Sequence, residues 1–567
     1  MRILQLDVNE VEYELVKPEA KVYEYSTEKK VSVKNALLLL TSIEKGDDKE
    51  IIEKAVGAAS DFAKKQKIGT IVIYPFAHLS SNLESPAAAL EILKEMRKTA
   101  ENRGVNVVSS PFGWNKKLKI DVKGHPLAEM SRTYTPANAP QPAKQAQPVN
   151  VDLSIVKKSN WSGLPANDHR TIGEQLDLYS FQEVSPSMVY WHPNGFVIYK
   201  QLISFLREKE LEYGYREIST PVIANTALWH VSGHIDHYKE NMFAFMVENE
   251  EFGLKPMSCP ATILIYKSKT WSYRELPFRT AIFDKLYRRE NSGSLTGLFR
   301  VQELTQDDGH IFITEEMIES EITLMIKMVK EVYNTFGLKF MANLSTMPDS
   351  HLGDEKLWGR ATDSLKSALE RNGVVYGIKE KDGAFYGPKI DIDVLDSQGR
   401  KWQLATIQVD YQLPMRFGAT YVDAEGKQQY PVIIHRAILG SLERFTAIMV
   451  EHYQGKFPTW LAPVQVRVMS ISDQAGAYAE KICKQILKSG IRAELDAGNR
   501  TIDYKVRDAQ LMKVPYMVVV GQKEIDAKDI TVRVRSGKST FGIDPEEFVK
   551  EVRKEIDERT DALLYQK

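Results

Sequence analysis

The residues best equipped to handle a phosphate ester lie in one stretch, Leu286-Tyr-Arg-Arg-Glu-Asn-Ser-Gly-Ser-Leu-Thr-Gly-Leu-Phe-Arg-Val-Gln-Glu-Leu-Thr-Gln-Asp-Asp-Gly-His310. An apolar run from Ala281 to Tyr287 leads in, Asn291-Ser-Gly-Ser supplies turn residues, and Leu298-Phe-Arg-Val leads back, which predicts a long hairpin. Arg288 and Glu290 are two apart, so strand alternation points both at one face. There a fixed cation can clamp a phosphate and a carboxylate can accept from an amino group. Arg300 on the return arm adds a second fork-shaped donor. The same pair also fits an exposed ion pair on a polar hairpin, and Arg-x-Glu alone does not choose between them.

Other segments must position these groups. Ala384-Phe-Tyr-Gly-Pro-Lys-Ile-Asp-Ile-Asp393 and Trp402-Gln-Leu-Ala-Thr-Ile-Gln-Val-Asp410 read as strands whose polar residues alternate inward. An antiparallel sheet with one polar face suits a substrate floor better than a core. Pro431 to Phe445 passes from strand to helix. Residues 315–333 read as an amphipathic helix with Ile318, Ile322, Met325, Ile326, Val329 and Val332 on its packed stripe and Glu321 on its solvated face. Cys259, His310 and His435 are ligand types far apart in sequence, and each taken alone fits a structural role better than a ligand's.

At 567 residues the chain predicts roughly three or four domains. Its 43% hydrophobic and 27% charged residues are those of an ordinary globular protein. No apolar run approaches the ~18 residues of a membrane span, and Met1-Arg-Ile-Leu-Gln-Leu-Asp reads as a first strand and not as a secretory signal. Two cysteines make no disulfide framework, which predicts a cytoplasmic setting and no membrane partner. The net charge of −1 gives no global attraction to nucleic acid, so RNA binding would need local basic surface.

Residues 1–134 alternate strands (Arg2–Leu6, Val31–Leu40, Thr70–Tyr74, Val105–Ser109) with helices (Lys49–Lys65, Ser85–Arg103), which predicts a compact α/β domain. His78 stands just past a strand end, where ligands meet open α/β sheets, and Lys116 follows Phe112-Gly-Trp-Asn. Prolines without hydrophobic periodicity predict a semi-rigid linker over 135–160. A helix is expected from Gly195 to Glu212. After Pro463, strand and helix signals alternate again, with Lys481, Lys484, Lys488, Lys505, Arg507 and Lys513 as a local basic surface and Cys483 as a core thiol.

Taken in order, these segments resemble the class II aminoacyl-tRNA synthetases. Residues 286–310 resemble motif 2, and Thr305-Gln-Asp-Asp-Gly-His310 narrows the likeness to threonyl-tRNA synthetases. Tyr213 to Pro221 resembles motif 1, which implies a homodimer; Gly440 and Arg444 match motif 3. The first unit is similar to the editing domain of archaeal-type threonyl-tRNA synthetases, a relative of D-aminoacyl-tRNA deacylases. The last is similar to the anticodon-binding domain of several class II enzymes. The implied fold is a multidomain α+β and α/β chain. An α/β editing-like domain (1–134) and a Pro-rich linker (135–160) precede a class II antiparallel-sheet catalytic core (161–460) and an α/β anticodon-binding domain (461–567).

The resemblance also implies roles. Arg288 holds the α-phosphate, Glu290 accepts from the adenine amino group, Arg300 and Arg444 hold ATP, and Mg²⁺ accompanies it. Gln306, Asp308, Tyr386, Lys389, Gln403, Gln408 and Ser441 contact threonine or its adenylate. Cys259, His310 and His435 match zinc ligands, an open S/N/N set. Zinc engaging both the amino group and the hydroxyl would reject valine strongly, whereas serine offers the same two ligands and loses only ~1–3 kcal/mol. A second, hydrolytic site is therefore expected, with His78 and Lys116 lining it. Glu524 and Arg533 match anticodon readers of tRNA(Thr).

Three departures stand out. Leu6-Asp7-Val8-Asn9 replaces a His-x-Asp first strand, and Trp114-Asn115 stands where paired tyrosines are common. Leu304 replaces the phenylalanine that stacks on adenine, so weaker ATP binding is expected. Two other readings stay open: a related class II synthetase for another amino acid, and a non-catalytic RNA-binding paralogue.

Overall fold

The computed structural model describes residues 1–80, 82–135, 158–396 and 398–566, leaving out also the side chain of His237. The Pro-rich linker expected over 135–160 lies almost wholly outside them. The chain divides into two compact units, Met1–Val151 and Asp152–Lys567.

The first unit holds a six-stranded sheet. Asn106–Ser109, Thr70–Pro75 and Lys30–Ser42 run parallel, and Arg2–Pro18 pairs antiparallel with the last of these, with Trp114–Val122 and with Glu129–Thr133. Leu37 and Leu39 face the helices Lys49–Lys65 and Pro86–Asn102, while Leu38 and Leu40 pack on the opposite face with Val72 and Tyr74. Burial on both faces is why this strand reads as an unbroken apolar run. Asp48 and Ser85 cap the two helices through their side chains. The first strand extends far beyond the expected Leu6, because Val11, Tyr13 and Leu15 alternate inward between Glu10, Glu12 and Glu14.

The second unit is built on a nine-stranded sheet. Its central strands are, in spatial order, Phe340–Ser345, Lys389–Leu395, Lys401–Asp410, Val432–Ser441, Glu303–Ile313 and Phe278–Ile282, each antiparallel to the next, with Tyr376–Lys379 and Arg216–Glu217 added in parallel at the two ends. The helices Ile318–Thr335 and Leu442–Tyr453 contribute to one continuous core beneath it. A five-stranded sheet (Ala493–Asp496, Val466–Ser470, Tyr516–Val520, Ile530–Val534, Ser539–Ile543) with the helices Gly476–Lys488, Ile502–Leu511, Gln522–Ala527 and Pro545–Glu558 completes the unit. The segment joining the two sheets has its carbonyls captured by side chains: Arg535 donates to Phe457 O, Gln465 to Thr459 O, and Arg492 to Trp460 O and Ala462 O. Among the described residues no helix is long and apolar enough to cross a membrane.

Three expectations are corrected. The hairpin returns later than expected: Phe278–Ile282 and Lys285–Tyr287 pair with Glu303–Ile313, and most of the expected return arm is a turn, Gly297–Phe299. Glu321 is not solvated; it is buried and takes a bidentate pair of bonds from Arg279 at 2.7 and 2.6 Å. Lys505 is not surface charge, since its ammonium is buried and donates to Ser470 O and Asp496 O.

Candidate active site

Strand pairing assembles the site from side chains remote in sequence. Thr280, His310, His435, Gln408 and Lys389 form one cross-strand row over five neighbouring strands. Leu304, Gln306, Asp308 and His310 are spaced by two along Glu303–Ile313, so all face the same side. Gln403 and Gln408 differ by an odd number, which plain alternation would put on opposite faces. A bulge between the Ala405 and Gln403 pairings brings Gln403 round to the cavity. A second irregularity sets Gln306 opposite Ser441 but Asp308 opposite Ala437, leaving Ile438, Leu439 and Gly440 bowed out of register. Gly440 takes φ +70, which favours glycine, and a Cβ there would lie 2.9 Å from Leu404 O.

The result is a cavity of about 470 Å³. It is lined by Arg288, Glu290, Arg300, Leu304, Ser441 and Arg444 together with Cys259, Gln306, Asp308, His310, Tyr386, Lys389, Gln403, Gln408 and His435. Every catalytic-core residue singled out in the sequence therefore lines one cavity. Arg300 pairs with Glu290 at 2.9 Å. Arg444 donates to Phe299 O and Gln403 O, while Ser441 caps its helix. Burial, with Arg300 and Arg288 nearby, holds the Arg444 guanidinium below its ordinary value. Such clustered cations call for an anion.

In the same cavity Cys259, His310 and His435 are buried, with one ligand atom of each within 4.8 Å of the others. The His310 and His435 rings stand 4.9 Å apart, edge to face. His435 Nε2 donates to Asp410 at 2.9 Å, an arrangement that keeps the Nδ1 lone pair available. His310 Nδ1 is buried without a hydrogen-bond partner. Burial pushes His310 well below its ordinary value, so it stays neutral, and pushes the Cys259 thiol well up, with Asp308 and Asp410 adding to the rise. A buried orphan imidazole beside a thiol and a second imidazole fits a thiophilic divalent metal. Asp168, His169 and Glu451 form a second cluster of ligand types, and their donors and acceptors are taken by protein partners described below.

In the first unit a cavity of about 480 Å³ is lined by His78, Trp114, Asn115, Lys116, Ser42, Thr41 and Tyr74, among others. The Lys116 ammonium sits 4.5 Å from the centre of the Tyr74 ring. Burial lowers Lys116 to about 8, against a weaker opposing pull from Glu24. In the C-terminal sheet, Glu524 accepts from Gly521 N and Thr531 Oγ1, and Arg533 lies on the neighbouring strand Ile530–Val534.

Residues 243–453 match the tRNA synthetase class II core domain (G, H, P, S and T), 1–134 the Archaea-specific editing domain of threonyl-tRNA synthetase, and 465–555 an anticodon binding domain. A crystal structure of the RNA binding domain of the threonyl-tRNA synthetase from Cryptosporidium parvum Iowa II is 42% identical. It superposes with a TM-score of 0.67, covering 68% of this chain and 98% of that one. The chain belongs to the threonyl-tRNA synthetase family. Curated threonine–tRNA ligases of Thermotoga maritima and Clostridium tetani are each 48% identical, over 390 and 392 residues, or 69% of this chain. The chain spans 61% of the length of these relatives.

Several cavity residues carried no signal in the sequence. Tyr238, Met257, Phe299, Val301 and Thr406 line it, yet they read as ordinary loop or strand positions. His234, near Cys259 with Sγ at 3.7 Å from its Nε2, stands in Ser-Gly-His, a turn-like triplet with no spacing to the other ligands. Only the fold brings these residues in.

Proposed function

We propose that the chain activates L-threonine with ATP and transfers it to tRNA(Thr), and that its first unit hydrolyses seryl-tRNA(Thr). One observation carries the reading: a Cys/His/His donor set and an arginine-rich end share one cavity. Cys259, His310 and His435 would hold zinc, which when bound supplies open coordination for an amino group and a hydroxyl together, a demand valine cannot meet. Gln306, Asp308, Tyr386, Lys389, Gln403, Gln408 and Ser441 orient the amino acid and its adenylate. Arg288 neutralises the α-phosphate, Arg300 and Arg444 bind the triphosphate with its Mg²⁺, and Glu290 and Leu304 receive the adenine. A threonine carboxylate oxygen then attacks the α-phosphorus, a bond to phosphorus forms, and the bond to pyrophosphate breaks. Alignment and charge neutralisation are what this chain contributes.

The tRNA ribose hydroxyl next attacks the adenylate carbonyl and AMP leaves, with Glu524 and Arg533 reading the anticodon. His78 and Lys116 line the pocket for misacylated tRNA. A homodimer working in the cytoplasm, with domains at 1–134, 161–460 and 461–567, completes the proposal.

Threonine-dependent ATP–pyrophosphate exchange tests it. Threonine should support exchange, serine weakly and valine not, and Cys259→Ala should lose both bound metal and exchange. Exchange indifferent to threonine would favour a different amino acid, and none at all would favour a non-catalytic paralogue.

A further inference from the structure

The loop 288–302 carries Glu290 and Arg300 into the cavity, yet most of it lies outside the sheet ladder. Its crest is two short turns, Ser292–Ser294 and Gly297–Phe299. What holds the crest is a fully buried imidazole. Leu298 N–H donates to His169 Nε2 at 3.2 Å, and the His169 ring stands edge-on to the Phe299 ring at 4.5 Å. Because Nε2 accepts, the ring proton is on Nδ1, which donates to Glu451 Oε1 at 2.9 Å. The His169 backbone N–H donates to the same oxygen at 3.0 Å. Glu451 Oε2 is taken by Gln398 Nε2 at 2.8 Å and by Arg400. Arg400 also lies over the Phe299 ring at 4.9 Å, and Trp402 stacks on that ring at 4.1 Å.

Glu451 belongs to the helix Leu442–Tyr453 that presents Arg444, and Arg444 Nε donates to Phe299 O at 3.0 Å. One helix thus fixes the loop twice: directly through Arg444 and indirectly through Glu451 and His169. The fit leaves no slack, since a Cβ on Gly297 would lie 2.4 Å from His169 Nε2. With each polar atom of His169 and Glu451 in a hydrogen bond of fixed direction, the pair acts as a hinge pin and not as a metal site.

We propose that His169 is a positioning residue for nucleotide binding: through Nε2 it locks the Gly297–Phe299 turn, so that Glu290 and Arg300 meet ATP already in place. This rests on the reading of 288–302 as the ATP-binding loop. A preorganised loop spares the ordering cost of each binding event, so losing the lock should weaken ATP binding and leave threonine binding alone.

The test uses the full chain with three variants. His169→Asn keeps a donor toward Glu451 but loses the acceptor at the Nε2 position. His169→Gln places an acceptor near that position. Gly297→Ala pushes the loop off an intact His169. The readouts are ATP and threonine dissociation constants by calorimetry and hydrogen–deuterium exchange over 292–302. His169→Asn and Gly297→Ala should each weaken ATP binding about tenfold, the value of one buried hydrogen bond, and should speed exchange across the loop. Threonine affinity should stay within twofold, and His169→Gln should recover most of the ATP affinity. Wild type binding ATP while His169→Asn and Gly297→Ala match it, or threonine binding falling in parallel, would overturn the proposal. Wild type that binds no ATP would instead overturn the reading beneath it.

Discussion

Replacing Asp307 by alanine should damage the site without removing a single group that lines it. Asp307 is completely buried on the reverse face of the Glu303–Ile313 strand, between Gln306 and Asp308, which face the cavity. Its carboxylate accepts from Ile438 N at 2.7 Å and Leu439 N at 3.0 Å, two of the three amides that the irregularity in Val432–Ser441 takes out of register. It also faces Arg436 Nη1 at 3.3 Å, while Arg436 keeps Glu210 at 2.6 Å and Asp307 O at 2.9 Å. Alanine therefore strands two buried amides. At about 1–3 kcal/mol for each unsatisfied donor, the local cost is about 2–6 kcal/mol, with Arg436 softening it by retaining its other partners. The irregular segment ends at Ser441, which caps the helix of Arg444, so the loss should reach that arginine. Hydrogen–deuterium exchange over 436–444 should accelerate about 30-fold or more in Asp307→Ala, each 1.4 kcal/mol giving about tenfold. Asp307→Asn, which keeps one acceptor, should fall between. Unchanged exchange over 436–444 in a folded Asp307→Ala would refute the claim that this carboxylate holds the bulge.

Other consequences follow from the same geometry. Leu304→Phe should lower the KM for ATP about fivefold, the worth of one aromatic contact of ~1 kcal/mol; an unchanged KM would mean that adenine does not rest there. The Arg279–Glu321 pair is bidentate, with the two side chains 20% and 5% exposed. A double-mutant cycle with Arg279→Met and Glu321→Gln in denaturant unfolding should give a coupling of about 2 kcal/mol, above a surface pair and below a fully buried one. Lys116, lowered by burial to about 8, should be about half amine at pH 8, whereas an ordinary lysine is below about 1%. An amine-directed acylating reagent at pH 8 should thus label it far ahead of exposed lysines, and bulk-like labelling would remove the shift. Because its folded value is depressed, its contribution to stability is complete above the unfolded value of about 10.5 and is lost as pH falls through about 8.

What the sequence determined by itself was the set of local patterns with a fixed period or fixed turn chemistry. Arg288 and Glu290 sit at i and i+2 after an apolar run, and both line the cavity as alternation predicted. The helices Lys49–Lys65 and Pro193–Glu212 follow from apolar spacing and end signals. Residue identity, set in motif order, also carried the family. Tertiary structure decided what periodicity cannot express. Gln403 joins Gln408 only because a bulge breaks the alternation, and Ser441 meets Gln306 only because three residues bow out of register. Cys259, His310 and His435 become a donor set through strand pairing and one helix start, with no spacing in the chain to announce it. Glu321 and Lys505 looked solvated because a charged side chain carries no mark of its partner. Arg279, and the carbonyls of Ser470 and Asp496, come from other elements of the fold. Short-range sterics write themselves into sequence, whereas pairing between distant strands is settled by the packing of the whole sheet.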